Sequence, residues 1–171
     1  MNILPHVFGA LALASWISSV QVKKKSNILI LQLLANVFYA IQYFFMGYIS
    51  TGLMNLVSVF RCYTFGVNAK KNRENPFWLL CLILSIIFVL AMLYCKTFLG
   101  IIPILATILY TVSTWQNNTK FLRYIFVVCS ILFIFYNYVV GAYVALVGNL
   151  FEIISGVTSI IRFEKGKNIS N

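Results

Sequence analysis

Seven long apolar runs divide the chain, and short polar segments separate them. Each run is nineteen or twenty residues long, which as a helix rising 1.5 Å per residue crosses a hydrocarbon core of about 30 Å. The runs stay apolar on all sides, whereas strands of a membrane barrel alternate over segments of about ten residues. The pattern therefore predicts an all-α integral membrane protein with seven spans: Leu4 to Val22, Ile28 to Met46, Ile49 to Val67, Phe77 to Cys95, Phe98 to Gln116, Phe121 to Val139 and Ala142 to Ile161.

Composition agrees with a membrane environment. The chain is 61% hydrophobic and 9% charged, so a soluble globule of this composition could not cover its surface with polar groups. The net charge of +10 would ordinarily raise the question of nucleic acid as a partner. The Lys and Arg residues, however, form short clusters between the apolar runs, so the predicted partner is the lipid bilayer and not nucleic acid.

The positions of the cations predict the orientation. The segments that follow spans 1, 3, 5 and 7 carry eleven of the thirteen Lys and Arg residues, the opposite side carries Lys96, and Arg61 lies inside span 3. Cytoplasmic loops keep the excess of Lys and Arg, so we expect the amino terminus outside the cell and the carboxyl terminus in the cytoplasm. The first run has its cations after it, so it is predicted to be a span and not a cleaved signal peptide.

Several classes of chemistry lack their residues in this chain. The four cysteines are scattered through the spans without a CxxC pair or a neighbouring histidine cluster, so no metal site is indicated. There is one histidine, no aspartate, no pair of carboxylates in one span and no glycine-rich phosphate loop. We therefore expect neither an enzyme nor a bound cofactor.

Two segments of the chain repeat each other at an offset of 94 residues. In both, an aromatic run precedes a glycine and an asparagine follows eight positions later: Gly47 and Asn55 in the first, Gly141 and Asn149 in the second. Spans 1 to 3 therefore resemble spans 5 to 7. Because each repeat has an odd number of helices, one extra crossing is needed to give both repeats the same orientation.

Span 4 is predicted to be that extra crossing, since it is the most purely apolar run and has no counterpart in either repeat. The expected architecture is two parallel three-helix repeats joined by a linker helix, a 3+1+3 arrangement. The predicted divisions are a first repeat at 1–67, a cytoplasmic loop with the linker span at 68–97, a second repeat at 98–163 and a cytoplasmic tail at 164–171.

A family resemblance covers nearly the whole chain. It rests on Ile102-Pro103 through Thr111-Val-Ser-Thr-Trp115, then Tyr136-Asn137, Gly141, Gly156 and Ile160-Ile-Arg162-Phe163. With these motifs the sequence resembles the YgjV-like family of bacterial inner-membrane proteins. That family in turn is similar to the SWEET, SemiSWEET and PQ-loop transporters, which share the 3+1+3 topology. The resemblance implies a multi-pass protein of the bacterial inner membrane with a role in transport.

The resemblance also implies a pair of site residues. An asparagine on the third helix of each SWEET repeat faces the sugar, and Asn55 and Asn149 are the matching positions. The chain departs from the wider group at the dipeptide that names it, because Gln21 and Gln116 are present but the proline before each is not. The chain therefore lacks the prolines to which a helix hinge is attributed in that group.

Spans 3 and 7 each have one polar or small-residue face at 100° per residue. Packing between helices explains such faces in ordinary membrane bundles, where small residues allow close approach and Ser or Asn form bonds across the contact. The same faces hold the candidate substrate-binding residues, which are Asn55, Ser58, Arg61, Asn149, Glu152 and Ser155.

Arg61 and Glu152 need a partner or water, because a charged side chain near the centre of a span costs about 2.5 to 3.5 kcal/mol on insertion scales. The repeat places them about one turn apart in depth on equivalent helices. One interpretation is an ion pair between them. The other is a central cavity in which Glu152 contacts a solute or a proton.

The leading functional hypothesis is a small-solute transporter of SWEET-like architecture that moves a neutral or zwitterionic, sugar-like molecule by alternating access, with proton coupling through Glu152. Two alternatives stay open. One is a non-transporting receptor or assembly factor on the same fold, and the other is a carrier of a nucleoside-like vitamin precursor. A homo-oligomer is compatible with each of them.

Overall fold

The computed structural model describes residues 4–47, 49–94, 101–140 and 143–164, which form seven α-helices and no strand. Each helix coincides with one predicted span, so the all-helical prediction is confirmed. The predicted span ends at Cys95, Phe98 and Ala142, the repeat residue Gly141 and the tail from 165 lie outside the described residues. The helices are α1 (Leu4–Val20), α2 (Lys25–Phe45), α3 (Ile49–Lys70), α4 (Phe77–Tyr94), α5 (Ile101–Trp115), α6 (Thr119–Val140) and α7 (Tyr143–Glu164).

Local sequence determines several of the helix ends. Gly47 has a φ of 79° between α2 and α3, in the left-handed region that glycine adopts without a steric penalty. The side-chain oxygen of Asn118 accepts hydrogen bonds from the backbone N–H groups of Lys120 and Phe121 at 3.0 and 3.3 Å, which caps the start of α6. Pro76 directly precedes α4, where its missing N–H removes no helical bond.

Polar side chains lie inside the helix bundle, and apolar side chains cover its outside. Gln32, Thr111 and Ser113 are fully buried, whereas Met92 is 73% exposed. A water-soluble protein shows the opposite distribution. The outer surface therefore suits a lipid environment.

Three of the described helices are long and apolar enough to cross a membrane, judged by length and composition: Lys25–Phe45, Thr119–Tyr136 and Leu146–Phe163. Three shorter apolar helices accompany them, at Leu4–Val20, Phe77–Leu93 and Ile101–Trp115. Together with the apolar outer surface, these helices make the described part of the chain a membrane-embedded bundle.

The helices pack as two groups of three with α4 between them. In the first group α2 packs on α1 and α3, and in the second group α6 packs on α5 and α7. Helix α4 packs on α3 and α5. Two helix pairs make the most extensive direct contacts between the groups, and we name them the α1–α7 seam and the α3–α5 seam. We name the end of the bundle where α1, α3, α5 and α7 terminate the basic end, because it holds the Lys and Arg clusters.

Two apolar clusters hold these contacts in place. One joins α2, α3 and α4 through six buried side chains: Leu29, Cys62, Phe65, Leu79, Ile83 and Ile87. The other joins α1, α5 and α6 through Val20, Ala106, Tyr110, Phe126 and Cys129.

Candidate functional site

Glu152 lies in α7 with 6% of its surface exposed. Its Oε2 atom accepts hydrogen bonds from Asn149 Nδ2, one turn earlier in α7, and from Ser130 Oγ of α6, both at 3.0 Å. Its Oε1 atom has no hydrogen-bond partner among the described residues. A buried carboxyl group is thus held at one oxygen and left with unused capacity at the other.

The serine hydroxyl beside Glu152 accommodates two protonation states. Ser130 Oγ is 3.0 Å from Glu152 Oε2 and 3.0 Å from the carbonyl oxygen of Phe126, but a hydroxyl has one proton to donate. When Glu152 is ionised, the hydroxyl can donate to its carboxylate. When Glu152 is protonated, the carboxyl group can donate to Ser130, which then donates to Phe126. Rotation of one hydroxyl therefore satisfies both states.

Arg61 lies in α3 at the α3–α5 seam, with 2% of its surface exposed. Its NH1 atom donates to Thr111 Oγ1 at 2.9 Å and, at the long limit of 3.5 Å, to the carbonyl oxygen of Thr107, both in α5. Its guanidinium carbon is 5.8 Å from the centre of the Tyr110 ring. These are neutral partners, and buried charges are usually paired with an opposite charge.

Three side chains inside the bundle bury polar atoms that have no hydrogen-bond partner in the described part of the chain: Arg61 at Nε, Tyr110 at its hydroxyl and Gln32 at both amide atoms. Buried polar atoms in folded proteins are almost always satisfied by protein or ordered water. The inner surface of the bundle therefore has spare donors and acceptors for water or a ligand.

Arg61 and Glu152 form no direct ion pair within the residues that the structure describes. Each has its own partners, α5 for Arg61 and α6 with Asn149 for Glu152. Of the two interpretations offered by the sequence, the simple ion pair is not the arrangement present.

Ser155 lies where α7 contacts the end of α1. Gln21 Nε2 donates to its Oγ atom and to its carbonyl oxygen, both at 2.8 Å. The Ser155 hydroxyl also lies 3.3 Å from the carbonyl oxygen of Ile17. Ser155 is therefore the centre of the α1–α7 seam in this structure.

Reciprocal contacts tie the two groups together at the basic end. Lys25 Nζ, at the start of α2, donates to the carbonyl oxygen of Gln116 and to Asn117 Oδ1 at 3.1 Å. Arg123, near the start of α6, donates to the carbonyl oxygen of Val22 at 3.1 Å. In each group, one cationic side chain thus donates to the loop between the first two helices of the other group.

The six predicted residues are only partly brought together. Asn149 and Glu152 are hydrogen-bonded, Arg61 joins α5 and Ser155 joins α1. Ser58 is buried and Asn55 is half-buried in α3. As a binding set, the six remain a prediction.

Sequence reasoning did not find the partners Ser130 and Thr111. One signal was available for Ser130, because the offset of 94 residues pairs it with Asn36, another polar residue inside a span. For Thr111 the pattern gave no equivalent, since the same offset pairs it with Ile17.

Two grooves flank α4 on the outside of the bundle. One of about 420 Å³ is lined by Leu84, Ser85, Phe88, Val89 and Ile108. The other, of about 590 Å³, lies toward the basic end against Tyr63, Arg73 and Trp78. Neither is lined by the predicted site residues, and Arg61 and Glu152 are both buried in this structure.

Comparison with known proteins gives one result at the family level. Neither the curated proteins nor the solved structures give a match to this chain. A family model described as a bacterial inner membrane protein, Imp-YgjV, matches residues 3–167, and the chain therefore belongs to this family of bacterial inner membrane proteins.

Proposed function

We propose that the protein is a small-solute transporter of SWEET-like architecture. In this proposal the two helical groups are parallel repeats joined by α4, with the amino terminus outside the cell and the carboxyl terminus in the cytoplasm. The solute is a neutral or zwitterionic polar molecule, such as a sugar, and it passes as one group rocks against the other.

The observation that carries the proposal is the buried carboxyl group of Glu152. An ionisable side chain inside a membrane bundle is costly and marks solute or ion pathways in proteins of this kind. Ser130 and Asn149 hold Glu152 at one oxygen in a way that suits both the ionised and the protonated form. A group that can exchange a proton without losing its partners supports proton coupling.

The packing of the groups supports the repeat that the proposal needs. An offset of 94 residues pairs Ser155 with Arg61 and Ile17 with Thr111. The contacts at the two seams correspond under this offset, because Ser155 contacts Ile17 at the α1–α7 seam and Arg61 contacts Thr111 at the α3–α5 seam. The same offset pairs Val22 with Gln116, the two carbonyl groups that accept from the opposite group at the basic end.

Flux into proteoliposomes tests the proposal. Radiolabelled solutes, sugars first, would be offered with and without an inward proton gradient, and we expect uptake that depends on the gradient. Glu152→Gln should abolish that dependence while the protein still folds, because the glutamine oxygen can accept the same two hydrogen bonds. Glu74→Gln, in the exposed loop before α4, is the matched control.

Two outcomes would contradict parts of this proposal. Normal gradient-dependent uptake in Glu152→Gln would remove the role of Glu152. Solute binding by detergent-solubilised protein without uptake in any vesicle would indicate a receptor in place of a transporter.

A further inference from the structure

The buried cation of Arg61 needs a negative charge to neutralise it. The chain has three acidic residues, Glu74, Glu152 and Glu164. Glu74 is exposed in the loop before α4, and Glu152 is held by Ser130 and Asn149. Glu164 is the last residue of α7, at the basic end, whereas Arg61 lies nine residues before the end of α3, a distance of about 13 Å along the helix.

The neutral partners of Arg61 do not use its full capacity. A guanidinium has five N–H donors in a rigid fork. Thr111 and Thr107 accept at NH1, and Nε is buried without a partner among the described residues. No carboxylate of the described chain comes within ion-pair distance of it. The side of the guanidinium that includes Nε can therefore donate two parallel hydrogen bonds to a carboxylate.

We infer that the transported solute carries a carboxylate group, which binds Arg61 at the α3–α5 seam next to the unpartnered hydroxyl of Tyr110. The inference rests on the proposed function, because a guanidinium with 2% exposure meets a solute only when the helices around it separate. Among the proposed solutes it selects zwitterions with a carboxylate, such as amino acids, and excludes plain sugars. It adds sugar acids to the set, because a proton on Glu152 can balance their negative charge.

Glu152 complements this assignment. A solute that brings a negative charge into the membrane interior needs a positive charge with it. A solute ammonium group can provide that charge at the unpartnered Oε1 of Glu152, or a proton on Glu152 can provide it. A carboxylate with an ammonium group and a carboxylate without one distinguish the two sources.

Matched ligand pairs test the inference. Thermal unfolding of the detergent-solubilised full chain would be followed with four pairs that differ in the carboxylate: alanine and alaninamide, propionate and propionamide, glucuronate and glucuronamide, nicotinate and nicotinamide. At ligand concentrations well above Kd, we expect at least one carboxylate to raise Tm by about 2 °C or more. The matching amide should have no effect. If alanine raises Tm and propionate does not, the positive charge comes from the ammonium group of the solute. If both raise Tm, the positive charge comes from a proton on Glu152.

Variants tie the effect to Arg61. Arg61→Gln should abolish the difference between carboxylate and amide, and Arg61→Lys should reduce it, because a lysine lacks the bidentate fork. Ser85→Ala, on the outer side of α4, should leave it unchanged. If Arg61→Gln does not fold, the Lys variant and the ligand pairs on the unmodified protein still decide the matter.

Three results would overturn the inference. They are carboxylates without effect throughout the panel, amides as effective as their acids, and chloride or phosphate as effective as propionate. The proposed function fails separately. Uptake of neutral amides or sugars with no carboxylate binding would remove the inference and keep transport, whereas carboxylate binding through Arg61 with no uptake would remove transport and keep the inference.

Discussion

At the α1–α7 seam, the amide of Gln21 donates to Ser155 twice at 2.8 Å. At the α3–α5 seam, the guanidinium of Arg61 donates to Thr111 at 2.9 Å and has spare capacity at Nε. The offset of 94 residues pairs Ser155 with Arg61, so the two seams use matching positions. One seam is neutral and well satisfied, and the other holds a charge that the described protein groups do not neutralise. The comparison separates a contact suited to stability from one suited to binding.

The largest effect should come from removing the charge at the α3–α5 seam. We expect Arg61→Met to lower solute uptake by more than about tenfold, because hydrogen bonds to charged groups are worth about 1.5 to 3 kcal/mol. The same variant should keep or raise Tm, since a buried ionic group replaced by an apolar side chain of similar volume is often neutral or stabilising. Uptake in proteoliposomes and thermal unfolding measure the two quantities.

Arg123→Met is the matched control for that variant. Arg123 is also buried, but it ties α6 to the carbonyl oxygen of Val22 and lies 4.6 Å from the Phe163 ring centre. Arg123→Met should therefore lower Tm. A fall in Tm for Arg61→Met with normal uptake would reverse the comparison of the two seams.

A methyl group tests how closely α7 packs against its two neighbours. A Cβ atom on Gly156 would lie 2.6 Å from a methyl carbon of Val127 in α6, whereas one on Gly148 would lie 3.6 Å from Leu13 across the α1–α7 seam. We expect Gly156→Ala to destabilise the protein by about 1 to 3 kcal/mol through overpacking. Gly148→Ala should be tolerated, and equal losses of Tm would show that the α1–α7 seam is as tight as the contact inside the second group.

The support of Glu152 should have a smaller effect. Ser130→Ala leaves Oε2 with Asn149, and we expect a loss of about 1 kcal/mol in the free energy of unfolding. Ser159→Ala is a suitable control, because that buried hydroxyl donates within its own helix, to Gly156 at 3.0 Å. Thermal unfolding would report both, and an equal loss in the two variants would mean that the bond to Glu152 adds nothing.

The smallest effect is expected at the neutral seam. Hydrogen bonds between membrane helices contribute about 0.6 kcal/mol on average. Gln21→Ala should therefore lower the free energy of unfolding by roughly 0.6 kcal/mol and leave carboxylate selectivity intact. The control is Gln116→Ala, at the glutamine that follows α5 as Gln21 follows α1. A loss of selectivity in Gln21→Ala would place the binding function at both seams.

The sequence was a good guide to the helices and a partial guide to the site. Runs of about nineteen apolar residues bounded by cations give helix ends to within a few residues, because bilayer thickness dictates the length. Asn149 and Glu152 were predictable as neighbours, since they are three residues apart on one helix. Ser130 and Thr111 were not, because their roles depend on which helices touch and at what height, and a one-dimensional polar pattern does not encode that.

Trp115 gives the molecule a built-in optical reporter. Its indole N–H donates to the carbonyl oxygen of Asn75 at 3.0 Å, and the Asn75 side chain donates to the carbonyl oxygen of Trp115 at 2.7 Å. Trp16 packs against Tyr110 and Phe126, with ring centres 5.3 and 6.0 Å away, and Trp78 is 65% exposed on the outer surface. Replacing Trp16 and Trp78 by Phe would leave one fluorophore at the junction of α5 with the loop before α4. Its emission should shift to the red when that junction opens and water reaches the ring. Tryptophan fluorescence would therefore report the opening of this junction directly.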